Sequence, residues 1–450
     1  MAQIVSNPEM QAMLKTAYLS GVYNAKWQNS PVLAAIGKEK FAGKEMKYPC
    51  QYGNGGNFGS VYSTVANNRA GGAKNMEWTM TPGYAFGLFN IDQPEILSSG
   101  EERGAYMKIL ANKMEACFDG LSKVIASYMY GGSKDGLGKF TAAVASIASS
   151  NNVATVDSSC ALKLDVDSRF TVAGLSNVYF TVTAIDDNTI TFDASATGGA
   201  IAVGDVIHLY TAFASDGTFR GIEGLADILP VVADDRSGAA WNTYIGTSFR
   251  GFDRSKAVNR LAGQFVKAAA TGATRLSDAL VALLKKTKRA NGLQNMVIVN
   301  DETWDAIGQE LGIQRNLWQA TNNTPAKQGV TLGLNELATA FGDAFVGRTV
   351  IDPFCPVDRA YMLDKDDLKF YDLGNVSKVI QPTAGNNPEV GNVGDQGFGD
   401  TVDAKLNMDK LFTITPDSNG DYGPEFTIAA NIFGQFALRK TASSGVAVLK

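Results

Sequence analysis

The chain has 450 residues, 45% hydrophobic and 19% charged, with 40 Lys and Arg against 45 Asp and Glu for a net charge of −5. That balance excludes intrinsic disorder, a collagen-like repeat, a disulfide-stapled miniprotein and a basic nucleic-acid coat. At about 150 residues per domain, the length corresponds to roughly two to four structural units. Cys50, Cys117, Cys160 and Cys355 are lone residues with no C-x-x-C pair, as expected of a reducing compartment. No apolar run approaches the ~20 residues of a bilayer span, and the first residues lack the basic-then-apolar order of a signal peptide. The chain therefore reads as soluble and made in the cytosol. His208 is the single histidine, which excludes H-E-x-x-H and every site needing two imidazoles. The 47 glycines are spread over several long connections rather than gathered in one phosphate loop.

In chain order, Asn7-Pro8-Glu9 supplies a cap, a first-turn proline and an acid on the helix dipole. Met10, Met13, Leu14, Ala17 and Tyr18 follow at helical spacing, so a helix is expected over 8–27. A further helical turn is expected over 31–36. Strand patterns occupy 44–52, 76–80 and 84–91, with a polar, glycine-rich stretch over 53–72. Together they predict a long two-stranded arm with too little apolar surface to stand alone. Tyr48, Tyr52 and Trp78 on its strands are side chains that gain most by covering a neighbouring surface.

Overlapping capping boxes at 98–102 open a long helix whose seam is Met107, Leu110, Met114, Cys117, Leu121, Val124 and Tyr128. Gly131-Gly132 is expected to stop it. Residues 141–214 form a Thr-, Val- and Asp-rich island of four or five short strands, read as an inserted all-β module. Helices are expected over 254–271 and 275–290. Strands follow at 296–299, 346–351, 360–363 and 368–371, then a glycine-rich loop at 385–399. Closing strands are expected at 426–438 and 446–449, with Gly434 as a bulge.

Candidate chemistry is thin. Gly37 with Gly43-Lys44 is one residue too long for a P-loop, and Glu45 stands where Ser or Thr would hold magnesium. Glycines 53, 55, 56 and 59 approximate a dinucleotide fingerprint with no helix after them, which favours a loop tip. Asp417, Asn419 and Asp421 have calcium-loop spacing, but Tyr422 and Ile428 replace the required glycine and glutamate, so a polar turn is the better reading. The cations at 285–289 suit a solvated helix end, with nucleic-acid contact as the alternative. Asp364, Asp366 and Asp367 read as a charged turn, and His208 as a strand residue without metal partners. No serine or cysteine has a base beside it. No catalytic, cofactor-binding or metal site is expected, and the chain is not read as an enzyme.

The order of parts carries more information than any residue. An N-terminal helix, a long arm, a long spine helix and a mixed α/β region with late closing strands resemble the HK97-fold major capsid protein of tailed bacteriophages. Local segments are similar too: Trp27-Gln-Asn-Ser-Pro31, Gly43-Lys44-Glu45, Phe219-Arg-Gly-Ile-Glu-Gly-Leu-Ala226, Trp241 before Phe252-Asp-Arg254, Val297-Ile-Val-Asn-Asp-Glu-Thr-Trp304, Ile351-Asp-Pro353, Ala360-Tyr-Met-Leu363 and Ile432-Phe-Gly-Gln-Phe436. The resemblance implies an α+β HK97-like fold with a small inserted all-β domain. It implies an N-terminal arm at 1–42, an E-loop hairpin at 43–95, the spine of the peripheral domain at 96–140 and the insertion at 141–214. A peripheral return at 215–254, an axial domain at 255–345 and closing strands at 346–450 complete it.

The implied function is a shell subunit that self-assembles as hexamers and pentamers into an icosahedral head around phage double-stranded DNA. Its implied partners are copies of itself, a separate scaffolding protein, a portal, decoration proteins and packaged DNA held non-specifically, with no cofactor and no membrane. Lys44 and Lys74 lie where some members cross-link, but nothing else matches that pattern. An acidic wall holds DNA loosely, which suits a shell that must fill and empty. A bacterial encapsulin-type compartment shell is the alternative, and another virion structural protein the third reading.

Overall fold

The computed structural model describes residues 30–92, 109–310, 348–373, 412–415 and 425–449, apart from 42, 56–57, 68–71, 173–174, 176–177, 215–216, 233–235, 237, 252, 269–275 and 293–294. The expected helix over 8–27, the capping boxes at 98–102, the glycine-rich loop 385–399 and the Asp417–Asn419–Asp421 turn lie outside the described residues, as do the side chains of Met107, Leu110 and Met114.

A 14-residue strand, Glu425–Leu438, organises the body. One edge pairs antiparallel with Gly83–Asp92, from Glu425 opposite Asp92 to Gly434 opposite Gly83. The other takes Phe412–Thr415 and then Leu368–Asp372, which carries the parallel strand Gly37–Lys40. The register runs unbroken through Gly434, so the expected bulge is absent. Glycine is needed there for another reason: a Cβ would lie 2.7 Å from the Tyr371 carbonyl oxygen and against the Phe370 ring.

Under this sheet runs the long helix Ile109–Asp135. Leu121, Ile125, Tyr128 and Met129 recur at helical spacing and are buried in one cluster with Ala85, Ile432 and Phe436. Burial of each such side chain is worth roughly 1.5–3 kcal/mol. As expected, the regular helix breaks at Gly131-Gly132: the chain kinks at Gly132, whose φ of +54° is non-helical, and a separate helical turn follows to Asp135. A Cβ on Gly132 would strike the Asp227 carboxylate, so the glycine admits the short helix Leu225–Ile228 against the spine.

Residues 138–209 form an antiparallel six-stranded sheet, ordered Gly138–Lys139, Val206–Leu209, Arg169–Val172, Phe180–Asp186, Thr189–Ala194 and Asn152–Thr155. Phe170, Phe180, Val182, Ile190, Phe192 and Ile207 fill a core of its own. The sixth strand, Gly138–Lys139, lies ahead of the expected island and ties it to the spine.

A second, mixed sheet runs Gln264–Lys267, Gly445–Val448, Arg359–Leu363, Met296–Val299 and Arg348–Ile351. Alternate residues divide between two cores. Met296, Ile298, Tyr361 and Leu363 join the spine-helix cluster, while Val297, Val299, Ala360 and Met362 meet Leu280, Leu283 and Leu284 of the helix Leu276–Arg289. The expected helix over 254–271 is replaced by short turns at Arg254–Ala257 and Val258–Leu261, then the strand Gln264–Lys267. That strand is formed by parallel pairing with Gly445–Val448, a partner invisible to local periodicity. Backbone pairing likewise runs across the expected boundary at 345.

Candidate assembly surfaces

The arm is a two-stranded sheet, Met46–Gly53 with Lys74–Met80, Tyr48 standing opposite Trp78. The expected third strand leaves it: residues 83–92 join the body sheet instead, because Glu425–Leu438 offers them a continuous ladder. Along the arm, residues alternate between an outer face, where Lys47 and Glu77 pair at 3.8 Å, and a face turned toward the body. On that second face Trp78, 5% exposed, packs on Leu261. The Arg250 guanidinium lies 5.7 Å from its ring. Met80 packs on Phe41 and Tyr371, and the Tyr48 ring meets Tyr371 edge-on at 5.5 Å. The Thr79 N–H donates to the Arg250 carbonyl at 2.8 Å, and the Arg260 guanidinium to the Tyr52 carbonyl at 3.0 Å. Tyr48, Tyr52 and Trp78, expected to cover a neighbour, are therefore spent on the chain's own body.

The tip behaves differently. It carries a short helix, Tyr62–Asn67, with no buried residue. Phe58 is 85% exposed and Tyr62 87%, with Val61 beside them. The run Val61-Tyr62-Ser-Thr-Val65-Ala66 holds the apolar 3–4 spacing that signals this helix, masked by the surrounding glycines.

A second exposed set lies on the outer face of the body sheet. Ala85 and Ile432 point in toward the spine helix, so Tyr84, Phe86 and Phe433 point out. Their ring centroids are 5.6–6.3 Å apart. Tyr84 is 45% exposed and Phe86 59%.

Buried charge is concentrated where the spine helix ends. The Asp135 carboxylate takes Arg359 at 2.5 Å and Lys139 at 2.7 Å. Burial alone would raise its pKa, but the two cations overcome that and hold it well below the usual carboxylate range. Asp352 accepts from Tyr130 at 2.8 Å and from Ser30, and burial pushes its pKa up. Asp227 accepts the Ser133 N–H at 2.8 Å and the Ser133 hydroxyl at 2.6 Å, fixing the kink. These carboxylates clamp spine, insertion and mixed sheet together. A cleft beside them is lined by three carboxylates, Asp135, Asp157 and Asp358, and three cations, Lys139, Lys163 and Arg359. Among the described residues no group of three His, Cys, Asp or Glu could hold a metal ion.

No protein-family profile matches the chain, and no curated protein matches it. Solved structures do. The cyanophage A-1(L) capsid asymmetric unit superposes with a TM-score of 0.54 at 12% identity, covering 97% of both chains. The chain has the HK97-like phage capsid fold. Weaker likenesses are to a Mycobacterium phage Bobi chain, TM-score 0.45 at 10% identity over 99% of each chain. An empty GTA particle capsid gives 0.47 at 9% identity, over 98% of this chain and 97% of that one.

Within this capsid fold the residues weighed from sequence fall apart from one another. Gly37 opens an edge strand, and Gly43 is a turn glycine at φ +81°. Lys44 and Lys74 are exposed at opposite ends of the arm. Glycines 53, 55 and 59 belong to the arm tip. His208 is buried in Val206–Leu209. Asp364 accepts the Asn295 amide at 2.8 Å and Asp367 faces Lys440 at 3.6 Å, which makes this region a braced turn. At the end of the helix Leu276–Arg289, Lys286 donates to the Phe265 carbonyl at 2.8 Å while Lys285, Lys288 and Arg289 are exposed. All four cysteines are free thiols.

Proposed function

We propose that the protein is a major capsid subunit, assembling through hexamers and pentamers into an icosahedral shell around double-stranded DNA. The observation that carries this reading is the exposed aromatic set, Phe58 and Tyr62 on the arm and Tyr84 and Phe86 on the sheet, on a chain with a phage capsid fold. Clustered apolar surface of that kind marks a contact that another molecule completes. In this reading residues 46–80 are the E-loop, 109–135 the spine and the 138–209 sheet an inserted domain. The axial domain is the mixed sheet with its helices. The subunit is structural rather than catalytic, and it works in the virion beside a scaffolding protein, a portal and decoration proteins.

Electron microscopy and sedimentation of the purified protein test the proposal. Closed icosahedral particles, or ring-shaped hexamers and pentamers, are expected, and particles from producing cells should protect DNA. Monomers at every concentration and salt would overturn it, and a protein cargo in place of DNA would indicate a compartment shell.

A further inference from the structure

Where the 138–209 sheet meets the spine helix, one polar group is left without a partner. His208 is 1% exposed, on the strand Val206–Leu209, and its Nδ1 has no hydrogen bond. The ring is wedged edge-on against Phe213 at 4.8 Å, with Phe219 at 6.2 Å. Above it passes the backbone at Gly136, which has φ +51° and where a Cβ would come within 2.8 Å of Nδ1. The strand is stitched to the helix end around this ring. The Leu137 N–H donates to the Ile207 carbonyl at 2.8 Å, and the Leu209 N–H to the Tyr128 hydroxyl at 3.4 Å. Tyr128 in turn stacks edge-on with Phe219 at 5.9 Å.

A phenylalanine would fill this apolar wedge without leaving a nitrogen unpaired, so a buried orphan imidazole here calls for a role beyond packing. We propose that His208 is an acid-sensitive latch: the neutral ring holds the six-stranded sheet on the end of the spine helix, and the imidazolium releases it.

The groups packed on the ring give an imidazolium no countercharge of their own: Phe213, Phe219 and Gly136 are uncharged, and the neighbouring Tyr128 hydroxyl is neutral. The one carboxylate that acts on the ring, Asp135, is already engaged by Arg359 and Lys139. Burial accordingly pushes the His208 pKa down to about 4, with Asp135 opposing weakly. In the released joint the ring meets water and titrates near its ordinary 6.5. The released state therefore binds the proton first. Closure is at full strength above pH 6.5, weakens as the pH falls, and reaches its minimum below about pH 4. Over that window the opening equilibrium should rise by about two orders of magnitude. The rest of the sheet stays folded, because Phe170, Phe180, Val182, Ile190 and Phe192 make up most of its core away from the joint residues Leu137 and Ile207.

Because His208 is the only histidine, its charge can be followed in the full-length protein, assembled or not, by mass-spectrometric exchange of the imidazole C2 hydrogen. A midpoint near pH 4 is expected. Amide exchange, corrected for intrinsic rate, should speed up about a hundredfold from pH 6.5 to 4 in peptides covering 136–141 and 204–219. Peptides within 180–194 should stay protected. His208→Phe should keep the joint closed at pH 4, with His208→Leu as the second variant. A midpoint near 6.5, a wild-type joint that stays shut at pH 4, or opening at pH 4 in either variant as in wild type would overturn the latch. The last outcome would assign the opening to carboxylates. If neither variant folds, the two wild-type measurements decide the matter.

Discussion

The 138–209 sheet and the mixed sheet have six and five strands, yet they are built by opposite routes. In the first, hairpin neighbours such as Phe180–Asp186 and Thr189–Ala194 pair directly, and one continuous segment supplies every strand. In the second, Gln264–Lys267 waits for Gly445–Val448, and Met296–Val299 lies between strands from 348–351 and 359–363. The first has a single private core; the second is buried on both faces and shares one core with the spine helix. Local pairing closes quickly and needs nothing beyond itself, whereas remote pairing must meet the entropy of long loops first. The insertion should therefore behave as a unit, and the mixed sheet only as part of the whole.

The sharpest way to break this comparison is Arg359→Met. Removing the guanidinium leaves Asp135 buried and facing Lys139 alone, which should destabilise the body by about 3–5 kcal/mol. Urea denaturation should show the body transition moving to lower concentration while that of the 138–209 sheet stays in place. If the two move together, they are one cooperative unit. Ile190→Ala reverses the experiment. It should cost roughly 2–5 kcal/mol in the insertion transition alone, and by the same amount in residues 137–212 expressed separately, which should melt cooperatively with a β-type circular dichroism spectrum. A random-coil spectrum from that segment would remove its claim to independence. The smallest effect on stability is expected at the arm tip. Tyr62→Ser should change it by less than about 0.5 kcal/mol, since the side chain touches little of its own subunit, yet it should reduce particle yield in sedimentation. Unchanged yield with Phe58→Ser added would mean that the tip covers no neighbour.

What could be read in the sequence follows the same division. The spine helix was legible because Leu121, Val124 and Tyr128 repeat at 3.6-residue spacing on one face, and the insertion because alternation at 178–182 and the turn at 186–188 lie side by side. The strand at Gln264–Lys267 was not, because its apolar residues fit a helix equally well until its partner 181 positions later, at 445, is known. Gly434 read as a bulge because the requirement it meets, room for Phe370 and the Tyr371 carbonyl, comes from a strand over sixty residues away. The exposed surfaces were half legible. The aromatic residues of the arm announced a contact, but only the fold assigns Trp78 inward and Tyr62 outward.

The long strand Glu425–Leu438 sets an order of events during synthesis. Gly83–Asp92 pairs with it directly and lacks its ladder until the last tenth of the chain has been made, while Gly37–Lys40 pairs with Leu368–Asp372, which lies against that same late strand. At about 5–20 residues per second, some 340 residues separate Gly83 from Glu425, a wait of roughly 17–70 s on the ribosome. The 138–209 sheet can complete itself within that interval; the platform that anchors the arm cannot, since Tyr371 and Ala437 both belong to it. A chain truncated before Glu425 would thus carry its arm on no firm base. The strand Glu425–Leu438 doubles as an inspection step, since only copies translated through it complete the platform beneath the arm.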